Sequence, residues 1–381
     1  MTTLESTKTI SIYSNNLIMD IYIQELKFLY PYQIYHSVDE YINSTADFKI
    51  SFINHLNGYD LPISEEQRVK QVIDPNKFCQ DISQLKQVSD MVLAFENEMH
   101  DYHFDIFKQN SQDNVYWIIP IKTTTNIGIN SQNLIFYPFQ FGRAVNPYRE
   151  LPHKLQQIHH NCVKPKYFDA LLGRHRIHRD FVYNAISENH LQEKILTSYI
   201  KKDNDTFFKM RFFHEPDIDN FHEKINHSAE QVQYQGQTLA LSVIVPIQLY
   251  NQTAYSIIAE THADNRYSFF TEKIFKPMLA QRLFIVFSGW KYLENLRSLG
   301  FRTFDNVIDE SYDQIYNDDE RWAAAFEQVK RLCDMNQLEV LEKISEQVQH
   351  NYNLVMDTKW QTDHLPPVQQ IINNGLEKFF K

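Results

Sequence analysis

Apolar runs the length of a strand recur along this chain, and the polar stretches between them are long enough for helical crossovers. Residues 9–13 are β-branched and aromatic, and from residue 18 the apolar positions Ile21, Tyr22, Leu26 and Leu29 take helical spacing. Further runs at 33–36, 48–53, 91–95 and 115–119 continue the pattern, which predicts a parallel sheet covered by helices. Pro138, Pro147, Pro152 and Pro165 then punctuate a segment of weak periodicity, read as a connection, with a domain boundary near residue 160. Beyond it the alternation restarts. Strands are predicted over 168–172, 195–200, 239–245, 256–259, 283–287 and 302–304, with helices over 179–186 and 291–299. From Asp318 the chain reads as helical, its acidic start suiting a helix N-terminus. Pro366 and Pro367 precede a last helix over 368–380, whose apolar end (Leu376, Phe379, Phe380) is expected to pack back on the N-terminal domain. The expected organisation is therefore α/β, with one domain at 1–160, a second at 161–350 and C-terminal helices at 351–381. A length of 381 residues agrees, at about 150 residues per domain.

Composition narrows the function. Lys plus Arg number 37 against 48 Asp plus Glu, a net charge of −11, so general affinity for nucleic acid or anionic membrane is not expected and any phosphate site must be local. No leader or membrane-spanning run is evident, which points to the cytoplasm or the inner face of its membrane, with at most peripheral contact. Cys79, Cys162 and Cys333 are too widely spaced for a zinc ribbon or a disulfide framework. Eight glycines are about 2% of the chain, against roughly 7% in average usage, and neither GxGxxG nor a Walker A loop occurs.

Two segments could carry chemistry. Residues 172–180 read LGRHRIHRD, placing Arg174, Arg176 and Arg179 just after a predicted strand, where guanidinium groups and helix amides suit a pyrophosphate; a solvated basic turn is the plain alternative. Residues 255–281 place Glu260 after another strand and Thr271, Glu272 and Lys273 at a helix start. A carboxylate there can grip sugar hydroxyls and the lysine can neutralise phosphate, while Thr271 as N-cap and Glu272 at the positive dipole end also have a structural explanation. Pro277 predicts a kink or a later start to that helix.

The strand ending in Ala259-Glu260, followed by Phe269-Phe270-Thr271-Glu272-Lys273, an apolar helix and an apolar strand, resembles the donor-binding signature of α1,3/α1,4-fucosyltransferases. In that family the pattern is close to FENS…YVTEK; Thr261 stands here for its asparagine and Phe269 for its tyrosine. The resemblance covers residues 165–315. It implies a GT-B fold of two facing Rossmann-like domains, an inverting mechanism, a nucleotide-sugar donor of the GDP-fucose kind, and a glycan or lipid-linked glycan acceptor in surface polysaccharide synthesis. By the same resemblance Glu272 would hold the ribose or sugar, Lys273 the phosphates and Arg179 the pyrophosphate, with Glu260, Thr261, Phe269 and Thr271 around the donor.

An inverting transferase needs a base for the acceptor hydroxyl. The family's base is an N-terminal carboxylate, and the segment AFENEMHDYH at 94–103 offers Glu96 first, then Glu98 and Asp101. No metal or other cofactor is expected. The alternatives are a metal-dependent GT-A transferase, for which the Asp203/Asp205 and Asp217/Asp219 pairs or His100, Asp101 and His103 could serve, and an inactive glycan- or nucleotide-sugar-binding protein. A Ser-His-Asp hydrolase lacks a GxSxG elbow. Asp309, Glu310, Tyr312 and Asp313 either line a cleft or cap the next helix.

Overall fold

The computed structural model describes residues 8–15, 23, 24, 26, 28, 30–55, 75–96, 101–110, 113–125, 131–200, 218–219, 231–363 and 366–380. Most of the helix predicted from residue 18, with Ile21, Tyr22 and Leu29, lies outside them. Contacts divide the chain into two units, one of Met1–Pro120, Ile127–Pro138 and Thr362–Lys381, the other of Ile121–Asn126 and Phe139–Gln361.

In chain order the first strands are β1 (Ile10–Ser14), β2 (Tyr32–Tyr35), β3 (Phe48–His55), β4 (Met91–Glu96), β5 (Val115–Ile119), β6 (Ile121–Thr123) and β7 (Leu134–Phe136). The first unit is a six-stranded parallel sheet in the order β2-β1-β3-β4-β5-β7. Parallel strands need crossovers that cover both faces, so the central strands are continuously apolar rather than alternating. All six residues of β4, MVLAFE, are accordingly buried. Trp117 of β5 fills one side, its ring 4.3 Å from Phe107 and 6.4 Å from Phe78. Around Ser89, a small polar cluster is closed by the Tyr41 hydroxyl at 2.9 Å and Ser51 at 2.7 Å, and burial pushes the Tyr41 phenol up to about 12. The Pro366–Phe380 helix belongs to this unit: Leu376 is buried and the Phe379 ring meets Phe48 edge-on at 5.1 Å.

The remaining strands are β8 (Lys166–Arg174), β9 (Ile195–Ile200), β10 (Ile218–Asp219), β11 (Gln231–Tyr234), β12 (Gln237–Ala240), β13 (Thr253–Ala259), β14 (Tyr267–Phe269) and β15 (Phe284–Phe287). The second unit holds a parallel sheet in the order β15-β13-β8-β9, an antiparallel β10-β11-β12 ribbon and a β6–β14 pair. Numbered from its own first strand, its sheet runs 2-1-3-4, the order also found at the start of the first unit's sheet. This is the doubly wound α/β arrangement, in which the direction of winding reverses between the first and third strands. The Ile177–Glu188 helix connects β8 to β9 and packs with the Asp318–Cys333 helix. The Glu272–Leu279 helix lies between β13 and β15 and packs with the Phe139–Glu150 and Gln337–Met356 helices.

Differences from the sequence reading have local causes. The proline-punctuated stretch is not an extended connection but two helices, Phe139–Glu150, with Pro147 inside it, and Pro152–Leu155. They join the second unit because Tyr148 Oη accepts the Val245 amide at 2.5 Å and Arg149 Nη2 donates to the Val355 and Asp357 carbonyls, both at 2.9 Å. By contacts the chain thus changes unit at Pro138/Phe139 and Gln361/Thr362, where the sequence reading drew lines at 160 and 350. The strand expected over 239–245 is split: β12 ends at Ala240 and Leu241–Val243 forms a 3-10 turn, whose Ser242 carbonyl accepts the buried Lys276 ammonium at 2.7 Å. The strand expected at 302–304 is irregular, its backbone bonded instead to the Asn351 side chain. Pro277 leaves the Glu272–Leu279 helix continuous. Near the C-terminus of an eight-residue helix, it removes one donor without breaking the first turn.

The second unit's sheet is pinned by a buried ion pair. Arg282 Nη2 lies 2.8 Å from Asp169 Oδ1, both side chains under 5% exposed, and the guanidinium also donates to Ser256, Thr253, and the carbonyls of Tyr250, Thr253 and Tyr255. Burial raises the Asp169 pKa, opposed by Arg282 and by its hydrogen bonds. Removing one partner of such a pair strands the other charge without water. Asp169→Asn is therefore expected to lower unfolding stability by about 3–5 kcal/mol, measured by denaturant titration.

Candidate functional site

Ligands of doubly wound sheets sit at the carboxyl ends of the strands where the winding reverses. In the second unit that point lies between β8 and β13, and the residues singled out from sequence lead away from these two strand ends. β8 ends at Arg174, and His175 and Arg176 follow, all three exposed, before the Ile177–Glu188 helix. Gly173 has φ +55° beside a register shift in the β8–β9 pairing, and a Cβ there would stand 3.4 Å from the Arg179 guanidinium. Its left-handed conformation is readily available to glycine and turns the chain out of the sheet.

After β13 comes Glu260, completely buried. Both carboxylate oxygens are engaged: Oε1 accepts from Tyr292 Oη at 2.7 Å and the Thr271 amide at 3.3 Å, Oε2 from Thr271 Oγ1 at 2.6 Å and the Thr261 amide at 3.2 Å. Burial raises its pKa; Lys273 and the hydrogen bonds from Thr271 and Tyr292 act against it. The Glu260 backbone carbonyl accepts from His178 Nε2 at 2.7 Å and Arg179 Nη2 at 2.9 Å. A carbonyl can only accept, so His178 carries its proton on Nε2, and burial, then Arg179, depress its pKa to about 3, leaving it neutral.

Thr271 is the N-cap of the Glu272–Leu279 helix, its hydroxyl accepting the Lys273 amide at 3.4 Å while donating to Glu260. Lys273 Nζ donates to Thr261 Oγ1 at 3.0 Å, Thr271 Oγ1 at 3.2 Å and Glu272 Oε1 at 2.8 Å. Burial would raise the Glu272 pKa, but Lys273 and Lys276 outweigh it and hold the carboxyl down to about 2. The Lys273 and Glu272 side chains keep 21% and 15% exposure, so both remain reachable from solvent.

The residues read from sequence thus separate by task. Glu260, Thr261, Thr271, Glu272 and Lys273 form one hydrogen-bonded cluster. Arg179 is buried, and its guanidinium donates to the carbonyls of Arg174, Ala259 and Glu260. Burial, then Arg176, lower its pKa to about 10, so it stays cationic at neutral pH. Its direct bonds join the ends of β8 and β13, a different task from the pyrophosphate contact expected of it; Arg174 and Arg176 carry the exposed charge. Phe269 is also buried, in the β6–β14 pair with its ring 5.3 Å from His262, so it offers no open face to a ligand.

In the first unit Glu96 ends β4 and is fully buried, while Glu98 lies outside the described residues. His100 and the Asp203/Asp205 pair are likewise outside; Asp101 and His103 belong to the Asp101–Gln109 helix and Asp219 to β10. Among the described residues, no group of three or more His, Cys, Asp or Glu stands together as a metal site, and no helix is long and apolar enough to cross a membrane. The acidic segment after residue 308 is structural: Asp313 accepts the amides of Leu293 and Glu294 at 2.9 Å, capping the helix before it, and Glu310 takes Thr303, Arg297 and the Phe304 amide.

Sequence reasoning missed Tyr292, His178 and Gly289. Tyr292 is 32 residues from the carboxylate that it serves, and nothing in the spacing links them. Gly289 could have been noticed as one of few glycines, directly after an apolar strand: a Cβ there would lie 2.0 Å from the Asp264 carbonyl oxygen, because the loop after β13 crosses the end of β15. No family model, curated protein or solved structure matches the chain.

Two consequences are measurable. Gly289→Ala forces backbone apart and is expected to destabilise the protein by about 2 kcal/mol or more in thermal or denaturant unfolding. For Glu272, whose folded pKa is depressed, the stabilising contribution is present above the ordinary value of 4.5 and is lost as pH falls from there towards 2. A Glu272→Gln variant should show a flatter fall in stability across that window than the parent, with the difference closing at its acid end.

Proposed function

We propose that the chain is an inverting glycosyltransferase of GT-B type that binds a nucleotide-sugar donor at the carboxyl edge of the second unit's sheet. The observation that carries this reading is Lys273, an ammonium kept partly open to solvent and oriented by Thr271, Glu272 and by Thr261 just past the carboxyl end of β13, one of the two strands that flank the reversal point. A group so held can meet the charge that grows on a departing diphosphate without reorganising, which is where electrostatic catalysis is most effective. The exposed Arg174 and Arg176 at the same strand edge supply further positive charge for phosphate. Glu272, ionised and adjacent, can accept hydroxyl donors from a ribose or sugar.

Support also comes from the two parallel sheets, since a GT-B enzyme has one such sheet for each substrate side. In the reaction the acceptor oxygen attacks the anomeric carbon, the bond to the phosphate oxygen breaks, and a carboxylate takes the hydroxyl proton. The base is assigned to the segment that leaves β4, where Glu96 is fully buried, Asp101 begins the next helix and Glu98 stands between them in sequence. Glu260, which the resemblance set beside the donor, acts in this reading as the anchor of Thr271 and Tyr292 rather than as a ligand contact. The donor class follows from the resemblance to fucosyltransferases, with GDP-fucose as the first compound to try and a glycan or lipid-linked glycan of surface polysaccharide as acceptor.

Thermal unfolding in the presence of GDP, UDP, CMP and dTDP and their sugar conjugates, with and without EDTA, tests the binding half: one nucleotide family is expected to raise the midpoint irrespective of chelator. Lys273→Ala is expected to lower turnover about 100-fold with the fold intact by circular dichroism. Full activity in that variant, or no nucleotide-dependent shift in the parent, would sink the reading.

A further inference from the structure

At the opposite edge of the same sheet, where β8, β13 and β15 begin, the second unit contains a cavity unrelated to the Glu260 cluster. Its polar wall is the loop before β8, with His159, His160, Cys162 and Lys164, together with Arg282 before β15. Its apolar wall is one face of the Gln337–Met356 helix, from which Leu341, Ile344 and Val348 face inward beside Ser345. No carboxylate lines it, in a chain of net charge −11.

Lys164 is the telling residue. It is 7% exposed, and its ammonium makes one hydrogen bond, to the His159 carbonyl at 2.6 Å. Among the described residues no carboxylate lies within ion-pair distance of it, and an ammonium has three protons to place. Burying a cation without an anion is costly, and the ordinary remedies are a carboxylate partner or a bound counter-ion. Arg282 adds a second cation, though Asp169 behind it balances that charge. Partial burial, and then the neighbouring Lys164 and Arg282, lower the pKa of His160 on the same wall.

The wall is held in place before any ligand arrives. The His159 amide donates to Asn251 Oδ1 at 2.8 Å and Asn251 Nδ2 to the Gln157 carbonyl at 3.0 Å. On the other side, Gln337 clamps Lys164 by accepting its amide at 2.7 Å and donating to its carbonyl at 3.1 Å. Gln281, on the cavity wall, has φ of +50°, a left-handed conformation uncommon for a glutamine; Asn161, also on that wall, has φ of +54°, which asparagine adopts readily.

We propose that this cavity binds a small ligand carrying an oxyanion, a phosphate or a carboxylate, whose charge pairs with the Lys164 ammonium and whose apolar body lies on Leu341, Ile344 and Val348. The site is independent of the donor edge, and it would exist whether or not the glycosyltransferase reading holds.

Cys162 reports on it: the residue lines the cavity and is half-buried, its thiol 3.8 Å from the same His159 carbonyl that Lys164 bonds, while Cys79, half-buried in the other unit, serves as a reference within the same molecule. Alkylation of the full chain by iodoacetamide, read at each cysteine by mass spectrometry, is expected to slow about tenfold at Cys162 in saturating phosphate or acetate, with Cys79 unchanged and with no effect of chloride at matched ionic strength. Protection by phosphate alone or by acetate alone identifies the oxyanion class. Lys164→Met should abolish protection. Should that variant fail to fold, Ser345→Asp carries the test: a carboxylate placed in the cavity supplies the missing counter-ion, so it should raise the unliganded melting midpoint and remove the protection. Lys273→Ala should leave the protection intact. Equal alkylation of Cys162 in phosphate, acetate and chloride overturns the proposal, as does protection that survives Ser345→Asp or disappears in Lys273→Ala.

Discussion

The buried carboxylate of Glu260 is the group on which the carboxyl edge of the second unit depends. A carboxyl group with no exposed surface is tolerated only when hydrogen-bond partners replace the water it has lost. Here they come from three separate places: the loop that follows β13, the N-cap Thr271, and Tyr292 on the helix after β15. Because one carboxyl group gathers all three, it sets where the Glu272–Leu279 helix begins and hence where Lys273 stands. The carbonyl of the same residue receives His178 and Arg179, which join the end of β8 to the end of β13. Charge-assisted bonds of this kind are stronger than neutral ones, and in a dry setting they polarise one another.

The two edges of this sheet show contrasting solutions to buried charge. At the carboxyl edge the buried carboxyl of Glu260 is central and hydrogen-bond partners surround it, leaving Lys273 partly open. At the amino edge a cation is central: Arg282 is matched by Asp169 and by carbonyl and hydroxyl acceptors, whereas Lys164 has a single carbonyl. Parallel strands deliver both edges at once, since every strand starts at one and ends at the other. The two edges are thus separate consequences of one sheet, and Arg282 of the buried pair stands on the wall of the amino-edge cavity while its partner Asp169 lies within β8.

Much of the architecture was legible as period and composition. Continuous apolar runs such as 91–95, 115–119 and 283–287 mark strands covered on both faces, and all three are strands here within a residue. The Thr271 cap and the Asp318 helix start were legible because capping chemistry is local in sequence. The stretch at 239–245 misled for an identifiable reason: a buried apolar run has the same look whether it lies in a sheet or in a turn held by a lysine from elsewhere, as Lys276 holds Ser242. The prolines between 138 and 165 misled in the same manner, because a helix that gives up one donor can still be fixed by its tertiary contacts, as Tyr148 and Arg149 fix this one.

By itself the amino-acid sequence determined the α/β alternation, most of the parallel strands within a few residues and the places where Arg174 and Glu260 end their strands and Lys273 begins its helix, because those properties depend on neighbours a few positions apart. Only the tertiary structure decided which of these side chains are open and which are consumed. Arg179 and Lys273 are both basic residues at the mouth of a sheet, but one is directed inward to three carbonyls and the other is held at the surface. The difference lies in partners many residues away, Tyr292 for Glu260 and Ala259 for Arg179, and in how much water burial removes, neither of which any local pattern encodes.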